Sequence, residues 1–306
     1  MKRVYWLLLV SLFIFTACKE DKKQDNKSVT TSVKFNLPDI PVMLTSPDDR
    51  ARYLALHYWD KFNFKDTTLV HLPDITEQAI VNFMDIISMV DLNIADSAIA
   101  TTFRSASSDK IMLHYFWDTF ERYWNNPNSP MRNENFFIAM CRAVGKLSNI
   151  DEAIKSNSHF KLKNTLKNRV GQKAANFTYT TNYGQDSSMQ SISSPYTVLF
   201  FYNPDCETCV AIKEKMVSST LLNRLLSERK IKILAIYTDE DIEAWKRYQS
   251  QIPDSWINSY DKEQKIQGKE LYDLRAMPTI YLLDKNKNVI LKDVSIDNLE
   301  YFLENK

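Results

Sequence analysis

Apolar residues recur at helical spacing over the first half of the chain. From Ser46 to residue 168 they return every three or four positions, without the strict alternation of a half-buried strand. Ser46, followed by Pro47 and two acids, is a typical helix start. Further helices are predicted over residues 75–90, 94–107, 109–125, 131–148 and 151–168, with caps at Asp74, Asp109, Asn133 and Asp151. The pattern predicts a helical domain of five or six helices over residues 46–168.

Beyond Gly171 the pattern changes to strands that alternate with helices. Two continuous apolar runs, Tyr196–Tyr202 and Ile231–Tyr237, are typical of strands buried on both faces. Shorter strands are predicted over residues 175–180, 279–283 and 289–291, and helices over residues 206–228 (broken near Ser218), 240–251, 264–274 and 296–303. This order predicts a mixed α/β sheet that is covered on both faces.

The N-terminus has the pattern of an export signal. Lys2 and Arg3 precede a mostly apolar run over residues 4–17, which is too short to span a membrane. The run ends in small residues directly before Cys18, and this ending resembles the lipobox of bacterial lipoproteins, in which the cysteine is acylated. We therefore assign residues 1–18 to a lipoprotein signal peptide and Cys18 to lipidation. A plain signal peptide with an incidental cysteine is the alternative.

Residues 19–45 are predicted to be a polar tether. Their first eight positions are charged or polar and cannot bury apolar surface. The segment is similar to the export signal of Bacteroidota surface lipoproteins. We expect a cell-envelope protein that is lipid-anchored to the outer membrane, on its periplasmic face or at the cell surface.

Composition excludes several classes of function. Lys and Arg number 39 and Asp and Glu 38, so the net charge of +1 does not favour a nucleic acid partner. The chain has four glycines and neither a GxGxxG nor a GxxxxGK[ST] pattern, which argues against a nucleotide-phosphate loop. We predict no cofactor, no metal and no nucleic-acid partner.

The candidate chemistry lies in the pair Cys206-Glu-Thr-Cys209. A cysteine at a helix N-terminus lies where the helix dipole favours a thiolate, and a cysteine one turn later can close a disulfide with it. A purely structural disulfide is the alternative. A zinc site would need two more ligands, and all four histidines lie in the helical half. Cys141, inside an apolar stretch, is interpreted as a buried apolar residue.

Met277-Pro278-Thr279 stands directly before the predicted strand 279–283. Proline at the leading edge of a strand is unusual in a plain sheet. A cis-proline would form a tight turn beside the cysteine pair and free the Met277 backbone to pair with a substrate strand. We therefore name Met277 and Thr279 as substrate-binding candidates. An ordinary trans-proline is the alternative.

Residues 171–306 resemble the TlpA/ResA-like thiol-disulfide oxidoreductases of the thioredoxin-like superfamily. The resemblance rests on the buried strand, the CxxC pair and the Met-Pro-Thr motif before a second strand. It implies an α/β thioredoxin-like C-terminal domain preceded by an all-α helical domain. It also implies Cys206 as the attacking thiol, Cys209 as the resolving thiol and Pro278 as the cis-proline. Residues 46–168 resemble an uncharacterised domain found ahead of such modules in Bacteroidota lipoproteins.

The sequence departs from that family at the positions of its usual proton acceptors, which are Phe200 and Ile212 in this chain. The remaining candidates for the proton acceptor of Cys209 are Glu207, Glu214, Asp239 and water. Asp205 replaces the usual tryptophan, and it adds negative charge next to Cys206 together with Glu207.

We therefore expect a reductant or isomerase rather than a strong oxidase. Its partners would be disulfide-containing envelope proteins and an upstream thiol reductant. The alternative is a ligand- or protein-binding lipoprotein whose thioredoxin-like domain carries only a structural disulfide.

Overall fold

The first half of the protein is helical in the computed structural model, which describes residues 34–127 and 129–306. Six α-helices follow one another in this part of the chain: α1 (Pro47–His57), α2 (Pro73–Ser88), α3 (Leu92–Ala106), α4 (Lys110–Trp124), α5 (Glu134–Gly145) and α6 (Glu152–Thr165). A 3₁₀ turn over Thr67–His71 precedes α2. The prediction of a helical domain with five or six helices is confirmed for the fold of this segment.

Polar side chains cap most of these helices as predicted. Ser46, Asp109, Asn133 and Asp151 each accept a hydrogen bond from a backbone N–H of the following turn. The predicted cap at Asp74 is wrong, because α2 already begins at Pro73. Proline lacks an N–H and therefore suits the first position of a helix, which leaves Asp74 inside the first turn.

Aromatic side chains form much of the buried core of the helical half. Phe116, Phe120 and Trp124 are at most 1% exposed, and the rings of Phe120 and Trp124 meet edge to face with centroids 4.7 Å apart. Such pairs add to the apolar area that their burial removes from water. These aromatic residues therefore pack the core of the helical half.

The second half is built on one seven-stranded sheet. Its strands are β1 (Thr178–Thr181), β2 (Asp186–Ser188), β3 (Tyr196–Tyr202), β4 (Ile231–Tyr237), β5 (Ile257–Tyr260), β6 (Thr279–Leu283) and β7 (Val289–Lys292), in the order β2-β1-β5-β4-β3-β6-β7. The central strands β3, β4 and β5 are parallel, whereas β6 runs antiparallel to β3. The remaining helices are α7 (Glu207–Ser218), α8 (Thr220–Ser227), α9 (Ile242–Tyr248), α10 (Lys265–Gly268) and α11 (Ile296–Glu304).

The central strand β3 is buried on both faces, as its continuous apolar run predicts. Phe200 packs into one hydrophobic cluster and Phe201 into another on the opposite face, because successive side chains of a strand point to opposite sides. The predicted fold class, a thioredoxin-like α/β domain preceded by a helical segment, is confirmed.

Some elements differ from the sequence pattern. The short strands β2 and β5 were not predicted, and β1 begins three residues later than expected. The helix predicted over residues 264–274 is a single turn, since α10 ends at Gly268 and Glu270 has a positive φ of 48°. The break predicted near Ser218 is confirmed, because the Ser219 side chain caps α8.

The signal peptide, the lipidation site Cys18 and most of the predicted tether lie outside the described residues. Within residues 34–127 and 129–306, no helix combines the length and apolar character needed to cross a bilayer. Residues 35–306 belong to one compact unit. The division into separate domains at residues 168–171 stays a prediction.

Candidate active site

Cys206 lies at the start of α7, directly beyond the carboxyl end of β3. It is the N-cap of the helix, and its Sγ accepts the backbone N–H of Cys209 at 3.2 Å. The first N–H groups of a helix have no partner within the helix and favour a negatively charged group at this end. The half-buried sulfur therefore has a backbone donor on its inner side.

Asn203 shapes the loop between β3 and α7. Its Oδ1 accepts the N–H of Asp205 at 2.8 Å, and its backbone carbonyl accepts the N–H of Cys206 at 3.2 Å. Its Nδ2 donates to the carboxylate of Asp239. The asparagine thus ties the loop that carries Cys206 to the loop that follows β4.

Cys209 lies one turn further along α7 and is 1% exposed. Burial raises the pKa of its thiol well above the usual range, and the hydrogen bond with Cys206 acts in the same direction. Both cysteines are free thiols in this structure. The pair is therefore asymmetric, with a partly accessible sulfur at Cys206 and an enclosed, protonated one at Cys209.

The loop before β6 lies against the sulfur of Cys206. The peptide bond between Met277 and Pro278 is cis, and the Met277 carbonyl oxygen is 3.7 Å from Cys206 Sγ. The contact joins positions 71 residues apart because β6 pairs with β3, with Thr279 opposite Phe201. The sheet register thus brings the proline motif and the cysteine pair to the same edge of the sheet.

Thr279, the second substrate-binding candidate, is buried at 1% exposure. Its hydroxyl donates to the carbonyl of Ala276 at 2.6 Å and so closes the turn that contains Pro278. The Thr279 side chain therefore stabilises the loop through a buried hydrogen bond. Contact between Thr279 and a substrate stays a prediction.

A cleft of about 560 Å³ opens beside Cys206. The sheet half contributes Asp205, Asp239 and Met277 to its lining. The helical half contributes residues of α6, among them Phe160. The sequence pattern did not predict that α6 lines this cleft. The signal that could have indicated it is Phe160, a phenylalanine in a mostly polar helix.

The three acids that the sequence left as proton acceptors are placed differently. Glu207 and Glu214 are exposed, and Glu214 pairs with Lys213 at 2.7 Å. Asp239 is half-buried, lines the cleft beside Cys206 and accepts a hydrogen bond from Gln267 at 2.9 Å. Of the three carboxylates, Asp239 is the one that shares the cleft with the cysteine.

Cys141 lies in α5 and is fully buried in the helical core. Burial raises the pKa of its thiol to about 12, so it stays protonated at neutral pH. Its interpretation as a buried apolar residue is confirmed. Within the described residues, no group of three or more His, Cys, Asp or Glu side chains is arranged to hold a metal ion.

Comparisons with known proteins agree with this fold. Residues 15–168 match the family described as a domain of unknown function, DUF5106, and residues 195–289 match a thioredoxin-like family. A thioredoxin-like protein from Bacteroides caccae, solved by crystallography, is 40% identical in sequence with a TM-score of 0.79; the match covers 90% of this chain and 99% of that one.

Two curated relatives match a little under half of the chain. The thiol-disulfide oxidoreductases ResA of Bacillus thuringiensis and Bacillus anthracis are each 27% identical over 141 residues, which are 45% of this chain and 79% of those proteins. The resemblance stated from the CxxC pair and the Met-Pro-Thr motif is confirmed at the level of the family. This chain belongs to the DUF5106 family, and its C-terminal half is a thioredoxin-like domain that is similar to the ResA thiol-disulfide oxidoreductases.

Proposed function

We propose that the protein exchanges disulfides with protein substrates of the cell envelope through Cys206 and Cys209. The observation that carries the proposal is the position of Cys206 Sγ, in an open cleft between the Cys209 N–H and the Met277 carbonyl. A half-buried sulfur at a helix N-terminus can be reached by a second sulfur, whereas the enclosed Cys209 cannot.

The reaction proceeds through a mixed disulfide. The thiolate of Cys206 attacks one sulfur of a substrate disulfide, that bond breaks, and the departing thiolate takes up a proton. Cys209 then gives up its proton and attacks the Cys206 sulfur, which releases the second substrate thiol. Two electrons and two protons pass to the substrate, and the cysteine pair is left oxidised. An upstream dithiol reductant returns it to the reduced form.

Pro278 and Met277 have separate roles in this proposal. The Pro278 turn holds the backbone of Met277 beside Cys206, where an extended substrate segment can pair with it. Asp239 lines the cleft of Cys206, which makes it the candidate acid for proton transfer at the reacting sulfurs.

Reduction or isomerisation is the favoured direction. A dithiol protein is a strong oxidant when its reduced form is stabilised. Asp205 and Glu207 are exposed carboxylates that flank Cys206 and oppose such stabilisation.

The decisive measurement is the reduction potential of the 206–209 pair, obtained by equilibration of the full-length protein with dithiothreitol and mass analysis of the peptide that contains both cysteines. An exchanger should show a potential of roughly −180 to −270 mV. Cys209→Ser should accumulate mixed disulfides with envelope proteins, whereas Cys206→Ser should trap none. A potential below about −300 mV without trapped partners would favour the alternative, a binding lipoprotein with a structural disulfide.

We also propose that Cys18 anchors the protein to the outer membrane. The proposal rests on the apolar run and the small residues before Cys18. Radiolabelled palmitate should be incorporated into the wild-type protein and not into Cys18→Ser, and the variant should leave the membrane fraction. Protease treatment of intact cells would then distinguish the surface from the periplasmic face.

A further inference from the structure

One face of helix α6 forms a wall of the cleft that contains Cys206. Phe160, Asn164 and Lys167 all line this cleft. Phe160 and Asn164 lie four residues apart and Lys167 follows three residues later, just beyond the end of α6, so the three continue along one side of the helix. The helical half therefore contributes directly to the surroundings of the reactive sulfur.

The loop that leads to Met277 is fastened to the same end of α6. Lys163 pairs with Glu270 at 2.5 Å, and Lys167 lies 3.7 Å from the same carboxylate. Asn168 Nδ2 donates to the carbonyl of Leu271 at 2.8 Å. These bonds connect the C-terminal end of α6 to the loop that leads to Met277.

Phe160 exposes about half of its side chain at the cleft. It is 51% exposed and lies outside the buried cluster of the helical half. The guanidinium carbon of Arg275 is 5.9 Å from its ring centroid. Leu274 and Met277, both half-buried, line the same cleft. Phe160, Leu274 and Met277 are apolar residues of the cleft lining, and we call this set the α6 recognition surface.

We propose that the α6 recognition surface binds an apolar side chain of the protein substrate, close in sequence to the substrate cysteine that reacts with Cys206. The proposal rests on the proposed function and names its class of substrate: extended polypeptide segments with a large apolar residue near a disulfide. In an extended segment, residues two positions apart point to the same side. A substrate cysteine directed into the cleft at Cys206 therefore directs its second neighbours into the cleft as well, where Phe160 is exposed.

This arrangement makes Phe160 a specificity-determining residue for protein disulfides. A small disulfide has no side chain to place on the α6 recognition surface, so its reaction depends on the sulfur alone. A polypeptide with serine at the corresponding position has no apolar side chain to bind there, so its reaction should be no faster than that of a small disulfide. The helical domain thus selects substrates for a chemistry that the thioredoxin-like domain performs.

The test uses the reduced full-length protein and seven-residue peptides that carry one cysteine in a mixed disulfide with 5-thio-2-nitrobenzoate. Attack by Cys206 on the peptide sulfur forms a protein–peptide disulfide and releases the coloured thiolate. Peptides with phenylalanine or leucine two residues from the cysteine should react about tenfold faster than the serine peptide, which corresponds to about 1.4 kcal/mol. Phe160→Ala should reduce this ratio below about twofold, and Phe160→Leu should keep most of it.

A matched control is Tyr301→Ala, which removes an aromatic ring that is 72% exposed on α11 and does not line the cleft. This variant should keep the tenfold ratio. Each ratio compares two peptides that react with the same protein sample. Partial unfolding of a variant would lower both reaction rates equally and would leave their ratio unchanged.

The reaction of the wild-type protein with 5,5′-dithiobis(2-nitrobenzoate) separates the two proposals. If Cys206 reacts with this small reagent but does not discriminate between the peptides, the recognition role of α6 is wrong and the exchange function stands. If Cys206 reacts with neither reagent, the proposed function itself fails. Equal ratios for the wild type and Phe160→Ala would also overturn the inference.

Discussion

Lys292 of β7 donates to Glu134 of α5 at 2.5 Å and so joins the sheet to the helical half. The lysine side chain is 7% exposed, and it also donates to the backbone carbonyls of Thr165 and Lys167, both at 2.7 Å. Burial lowers the pKa of Lys292, while the Glu134 carboxylate opposes this shift. The charge is therefore retained inside the protein by one carboxylate and two carbonyls.

Replacing that carboxylate should weaken the fold. Glu134→Gln leaves the Lys292 ammonium buried among neutral acceptors, and we expect the free energy of unfolding to fall by about 2–4 kcal/mol. Urea denaturation followed by circular dichroism would measure it. Glu243→Gln, which removes an exposed pair with Lys246, should leave stability almost unchanged. If the two variants lowered the stability equally, the Glu134–Lys292 pair would not be acting as a buried ion pair.

Thr279 offers a test of loop support. Thr279→Val keeps the shape of the side chain but removes the buried hydrogen bond to the Ala276 carbonyl. We expect a loss of about 1–3 kcal/mol in stability and a slower reaction of Cys206 with disulfides. Thr279→Ser keeps the hydroxyl and should retain most of the reaction rate. A slow but fully stable Thr279→Val would point instead to direct contact with the substrate.

The resolving step should depend steeply on pH. Burial raises the pKa of Cys209, so at neutral pH only a small fraction of this thiol is ionised. Release of a bound substrate thiol should accelerate by up to about tenfold per pH unit above pH 7, because the attacking species is the thiolate. Acid quenching and mass spectrometry of the mixed disulfide would follow the rate. A plateau below pH 8 would show that a nearby base has already removed the proton.

Cys141 should make the fold sensitive to alkali. Its folded pKa of about 12 lies above the ordinary value of 9.0, so between these values the folded thiol keeps a proton that the unfolded thiol has lost. The contribution of Cys141 to stability is therefore complete below pH 9 and declines by about 1.4 kcal/mol per pH unit above it.

The comparison with Cys141→Ala isolates this contribution. The stability difference between the wild type and the variant should shrink as the pH rises from 9 to 11, because the titrations of all other groups are shared. A constant difference over this range would show that Cys141 does not keep its proton in the folded protein.

Local signals in the sequence were sufficient to predict several elements of the fold. The apolar runs of β3 and β4 predict strands buried on both faces, since all but one position of each run is apolar and the runs are short and rich in β-branched and aromatic residues. Side-chain caps marked the starts of α4, α5 and α6, because a cap bonds to its own following turn. The position of the cysteine pair could be predicted for the same reason, because it stands at a helix start shortly after a strand.

The residues that share the site from distant parts of the chain could be identified only in the folded protein. Strand β5 has four residues and exists through its pairing with β1 and β4, which no local pattern encodes. Asn168 and Leu271 are 103 residues apart, yet their hydrogen bond fastens the proline loop to α6. Phe160 faces the cleft of Cys206 because this contact and its neighbours bring the helix there. The sequence named the reacting sulfurs, whereas packing between the two halves decided what surrounds them.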